Sequence, residues 1–141
     1  MLDFSYYTDY LLRLGATRWG QALYSVSIGV VGAIILVGFL SSLMTSAAID
    51  ALLPVIIGFN TALTGYNVIE KTRDGFRRKR LVSMGAGLAV VLVATVGLNL
   101  LFWKLAGISL IGMGKLSLLT LVGIITSGLG GALAVRYLKL R

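Results

Sequence analysis

Four long apolar stretches, at about 22–44, 47–69, 81–103 and 116–138, leave this chain little freedom in what it can fold into. A helix rises ~1.5 Å per residue, so about 20 apolar residues cross the ~30 Å hydrocarbon layer of a bilayer. Each stretch is long enough. Inside lipid every backbone N–H and C=O needs a partner within the protein, and only helices or closed barrels provide one. The stretches are continuous rather than alternating, and four strands do not close a barrel, which leaves helices. A mean hydropathy of +0.94 and an apolar share of 57% agree, since both lie far outside the balance of a soluble domain. Nothing between the stretches is long enough for a separate core. Residues 1–141 therefore read as a single all-α domain, an integral membrane four-helix bundle.

The connections set the expected orientation. Only a tight turn at Thr45 and Ser46 separates the first two spans, and a mildly apolar loop, 104–115, separates the last two. Lys71, Arg73, Arg77, Arg78, Lys79 and Arg80 crowd the middle connection. Arg13 and Arg18 precede the first span, and Arg136, Lys139 and Arg141 end the last. Four crossings bring these basic regions to one side, which the positive-inside rule assigns to the cytoplasm. The expectation is N-in and C-in, in the cell (plasma) membrane. Residues 3–14 add a short amphipathic helix, with Tyr7, Tyr10, Leu11 and Leu14 sharing a face that suits the membrane interface. Trp19 and Trp103 would stand at the two interfaces as an aromatic belt. The acidic, tyrosine-bearing start is unlike the basic stretch of a secretory signal, so the first span is expected to be retained.

Composition removes several kinds of chemistry. Without cysteine or histidine the chain lacks the usual ligands of haem, copper and zinc, and its five acidic residues are scattered. No cofactor or metal is expected. The net charge of +8 is explained by orientation signals and anionic headgroups, making membrane lipids the implied partners and nucleic acid an improbable one. Intramembrane ionisable residues usually mark transport or catalysis. Here Asp50 sits near the outer boundary, and Glu70 and Asp74 at the inner end of the second span. No acid lies mid-span, which argues against a carboxylate-coupled antiporter and leaves a hydrolase without a base. The chain is not expected to be an enzyme.

The second span nevertheless carries a polar line, Asn60, Thr64 and Asn67, on one helical face, with Asn99 in the third span as its natural partner. Such a line either shelters a polar headgroup or bonds helix to helix at ~0.6 kcal/mol per bond. Pro54 falls early in the same span, where the loss of one amide is tolerable. Small residues at four-residue spacing, Ser25, Gly29 and Ala33 in the first span and Gly123, Ser127 and Gly131 in the fourth, permit close helix contact within the chain or between copies. Arg136 with Tyr137, and Arg77 to Arg80, could hold a lipid phosphate, or simply orient the chain.

Taken with the stretches SVSIGVVGAI (25–34), NVIEKTRDGF (67–76) and LNLLFWKLAGIS followed by GKLSLL (98–119), this layout resembles the GtrA-like family. Those are small four-helix proteins implicated in moving polyprenyl-linked sugars across membranes. The fourth span, ending AVRYLKLR (134–141), lacks that family's usual aromatic cluster. The resemblance implies lipid-linked substrate handling without covalent chemistry. Asn60, Thr64, Asn67 and Asn99 would shelter the sugar or phosphate, Arg80 and Arg136 would engage the phosphate, and a separate glycosyltransferase would be the partner. A second reading comes from the absence of buried charge and the rows of small residues. It is a non-catalytic accessory or assembly subunit of a larger membrane complex, or a self-associating homo-oligomer. An oligomeric channel fits less well, because no span has a sustained polar face.

Overall fold

The computed structural model describes residues 4–73 and 75–140, with side chains from residue 7 onward. Helix α1 (Phe4–Ala16) leads into α2 (Arg18–Ser41), and α3 (Ser46–Thr72), α4 (Lys79–Ala106) and α5 (Met113–Tyr137) follow. Helices α2 to α5 are each long and apolar enough to cross a membrane. The architecture is therefore the expected all-α bundle of four long helices, preceded by one shorter helix. Asp3, Asp74 and Arg141, which entered the charge and amphipathicity readings above, lie outside the described residues.

The helices overrun the apolar stretches at most ends, though α2 stops at Ser41, short of 44, so the first turn widens to 42–45. Helix α2 starts at Arg18 rather than 22, α3 continues to Thr72, and α4 extends to Ala106, so the last connection shrinks to 107–112. Hydropathy marks where hydrocarbon begins, whereas helical hydrogen bonding continues through the flanking polar residues.

Local chemistry fixes the ends. The Thr17 hydroxyl oxygen accepts from the Gly20 N–H at 3.0 Å and donates to the Leu14 carbonyl at 2.7 Å. One residue thus ends α1 and begins α2. Gly20 is required there, because a Cβ would overlap the Leu14 carbonyl. Thr45 caps α3 in the same manner, and Gly107, at φ +69°, stops α4 in the left-handed conformation that suits glycine.

Pro54 lies within α3 and has no N–H to offer the carbonyl of Asp50. The Lys115 ammonium at the start of α5 donates to that carbonyl at 2.7 Å and also pairs with the Asp50 carboxylate. The proline thus frees an acceptor that ties α3 to α5 at the end of the bundle opposite the basic loop.

Helix α3 is central, packing against α2, α4 and α5, while α2 and α5 lie diagonally apart and, among the described residues, α1 touches α2 alone. Val37, Ile49, Leu53, Ile57, Val90, Leu98 and Leu119 form one buried cluster among the four long helices. Leu23, Ile35, Phe39, Val55, Phe59, Leu121 and Leu133 point outward. In a bilayer such side chains meet lipid at no cost, so burial of apolar area does not by itself hold these helices together.

What does hold them is clearest along α5. A Cβ on Gly130 would overlap the carbonyl of Ala62, and one on Gly65 the carbonyl of Ser127, so the α3 and α5 backbones touch. On the other side Gly87 lies against Gly123 and Ser127, and Gly131 against Ser83. Ser127 Oγ donates to the Ser83 carbonyl at 2.5 Å, and Ser83 Oγ returns a bond to the Ser127 carbonyl. Thr61 and Thr126 share a hydrogen bond of 2.6 Å between α3 and α5. The row Gly123, Ser127 and Gly131 is thus consumed by contacts within the chain. The first-span row has the same fate, with Gly29 pressed against Thr64 and Val90.

Candidate functional site

The polar line of α3 is the first place to look for a site, since polar groups in a membrane interior need a reason to be there. Asn60 is 7% exposed and Thr64 is 1% exposed. Asn60 Nδ2 donates to the Ile56 carbonyl at 2.9 Å, and the Thr64 hydroxyl donates to the Asn60 carbonyl at 2.8 Å. The Asn60 amino group and the Thr64 hydroxyl are thus each bonded within their own helix. Across from them α2 presents glycines: a Cβ on Gly32 would come within 2.7 Å of Asn60 Oδ1, and one on Gly29 would overlap the Thr64 hydroxyl. The glycines therefore lie as lids over the polar pair. Asn67, a turn nearer the basic loop, is half-buried.

Asn99 does not join this line. Its amide Nδ2 donates to the Ile111 carbonyl at 3.0 Å, and its Oδ1 accepts the Ile111 N–H at 2.8 Å. One side chain so replaces a strand-like pair of backbone bonds and fastens the 107–112 connection onto α4. Sequence spacing held no sign of this, because the partner is backbone. Thr95, one turn back along α4, is 6% exposed, and its hydroxyl is the one buried side-chain polar atom without a partner among the described residues. It lines a depression of about 620 Å³ together with Asn99, Trp103 and Ile111.

Arg80 and Arg136 sit at the basic end of the bundle, both exposed. Arg80 borders an open depression of about 380 Å³ with Arg77, Arg78, Leu81 and Val135. Arg136 borders another, of about 460 Å³, with Leu133 and Tyr137. Val135 and Arg136 are neighbours on α5, so the start of α4 and the end of α5 form one basic rim. Neither depression is lined by Asn60, Thr64 or Asn67. The six candidate residues therefore fall into three places: a covered pair with Asn67 beside it on α3, a loop clasp on α4, and an exposed cationic rim.

A clasp that sequence reading missed also lies at this end. Arg18 Nη1 donates to the Gly75 carbonyl at 2.8 Å, the rings of Trp19 and Phe76 meet edge to face at 5.2 Å, and Lys71 Nζ lies 4.0 Å over the ring of Tyr24. The start of α2 is thereby pinned to the α3–α4 connection. Trp19 read as an interfacial belt residue has an aromatic partner as well, and Phe76, next to the arginines, was its only available signal.

Comparison of the chain with protein-family models, curated proteins and solved structures finds no match.

Proposed function

We propose that this chain is a non-catalytic, structural component of a membrane complex, inserted with both ends on the cytoplasmic side and α1 lying along the interface. The observation that carries the reading is how the polar groups within the spans are used. Asn60, Thr61, Thr64, Ser83, Asn99, Thr126 and Ser127 each bond to their own helix, a neighbouring helix or a connecting segment. A conduit for a polar substrate needs groups left free to replace water. Here these seven are spent on packing, and the Thr95 hydroxyl is the buried side-chain group left free among the described residues. The basic rim and its exposed arginines support the orientation, through the positive-inside rule. The exposed Tyr7, Tyr10 and Leu11 on α1 support its interfacial position.

The alternative, translocation of a polyprenyl-linked sugar alongside a glycosyltransferase, draws its support from Arg80 and Arg136 over open depressions at the rim. It requires Asn60 and Thr64 to leave their helix bonds and the α2 glycines to move aside. Substitution of Asn60 by leucine separates the two readings. A structural component shows altered melting of the purified protein or altered migration of its complex on native gels. A translocase keeps its fold and assembly and loses transport. Purification from native membranes in mild detergent as a partner-free monomer would defeat the assembly reading.

A further inference from the structure

Beside the clasp at the basic end, α2 and α4 separate to leave a groove on the outer surface of the bundle. Trp19, Leu23 and Val26 form one wall, Leu81, Gly85 and Ala89 the other, and the buried Ala22 and Ala86 lie between them, enclosing about 460 Å³. Every lining residue is apolar or aromatic. Gly85 is exposed and a Cβ added there would meet nothing within 4 Å, unlike the glycines of the α5 seam. Leu81 also borders the depression carrying Arg77, Arg78 and Arg80, so the apolar groove opens at one end onto exposed cations.

The geometry points to a seat for one anionic phospholipid, with an acyl chain along the α2–α4 groove and its phosphate held by Arg77, Arg78 and Arg80. Two properties choose this occupant. The groove runs from residue 81 to residue 89, about 12 Å along a helix axis, which matches the ~15 Å depth of a single leaflet's hydrocarbon. A chain entering from the basic end stays within that leaflet. The mouth has charge of one sign and guanidinium groups suited to a phosphate, so charge complementarity favours an anionic headgroup over a zwitterionic one. Trp19, at the rim of the groove and braced by Phe76, supplies a fixed aromatic wall at headgroup depth. The seat requires membrane insertion only, and holds whichever function the bundle serves.

The experiment is native mass spectrometry of the full chain, released from micelles doped in turn with phosphatidylglycerol and phosphatidylcholine of the same acyl chains. The wild-type chain is expected to retain one phosphatidylglycerol and to lose phosphatidylcholine. Gly85→Trp fills the groove without touching a cation, and Arg77→Gln with Arg80→Gln removes charge without touching the groove. The latter leaves Lys71, Arg73 and Arg78 to maintain orientation. Arg77→Gln with Arg80→Gln is expected to lower phosphatidylglycerol retention by about thirtyfold, two basic residues being lost near an anionic headgroup, and Gly85→Trp by about tenfold through lost chain contacts. Unchanged helical circular dichroism checks that each variant is folded; should Gly85→Trp misfold, Gly85→Leu takes its place. Equal retention of the two lipids overturns the proposal. So does retention by folded Gly85→Trp at the wild-type level, which would mean diffuse attraction to charge. Loss of a dimer peak in Gly85→Trp with no change in lipid would assign the groove to a second copy of the chain instead.

Discussion

The two sides of α4 join their neighbours by different means. Toward α5 it offers Ser83 and Gly87, its backbone lies against Gly123 and Ser127, and reciprocal serine bonds lock the crossing. Toward α2 at the same end it offers Val82, Gly85 and Ala89, and the surfaces part into an open groove. Both faces are rich in small residues, so small residues alone do not bring helices together. What separates the two is whether the partner also presents glycine or serine at the crossing. In lipid, where apolar contact between helices has little advantage over contact with acyl chains, close approach and hydrogen bonds decide which helices adhere.

Placing one substitution in each region puts this contrast at risk. Gly65→Ala drives a Cβ into the Ser127 carbonyl and should destabilise the bundle by about 1–3 kcal/mol, the ordinary cost of overpacking against atoms that cannot yield. Thermal or denaturant unfolding in micelles measures it, and a wild-type midpoint would mean that the α3–α5 crossing is looser than described. Asn99→Leu comes next. It deprives the Ile111 N–H and carbonyl of their partner, at a cost of about 1–2 kcal/mol, and should raise amide hydrogen exchange across 107–112 while leaving the centre of α3 protected. Uniform protection would show that the connection holds without its clasp. The smallest effect belongs to Gly85→Ala, in the open region, which should shift stability by no more than about 0.5–1 kcal/mol and toward the stable side, as alanine suits a helix better than glycine. If the two alanine substitutions cost the same, the distinction between the seam and the groove fails.

The four spans were legible because their signal is simple: long apolar runs whose backbone can be satisfied only as helix. Their ends were displaced, as at Arg18 and Ala106, because helical bonding does not stop at the hydrocarbon boundary. The small-residue rows were visible too, but whether they served contacts within the chain or between chains was not, since that depends on which helix lies opposite. Of the polar line of α3, Asn60 and Thr64 are buried and Asn67 half-buried. The closure of that pair by Gly29 and Gly32 depended on the register between α2 and α3, which no local spacing encodes. Asn99 was assigned a side-chain partner because side chains are what a sequence displays, whereas its true partner was the backbone of Ile111. Pro54 carried more information than was taken from it. A proline within a helix always leaves one acceptor behind, and the search for a donor leads to Lys115.

The clasp between α2 and the α3–α4 connection bears on how the chain's positive charge meets its surroundings. Because Gly75 and Phe76 are tethered to Arg18 and Trp19, the arginines that follow are displayed on a stiff mount instead of waving as a polyelectrolyte brush. A brush attracts any anion in proportion to its valence. For the phospholipid seat proposed above, a mount of fixed spacing would favour a headgroup by its shape, and cutting the tether should leave only attraction by charge.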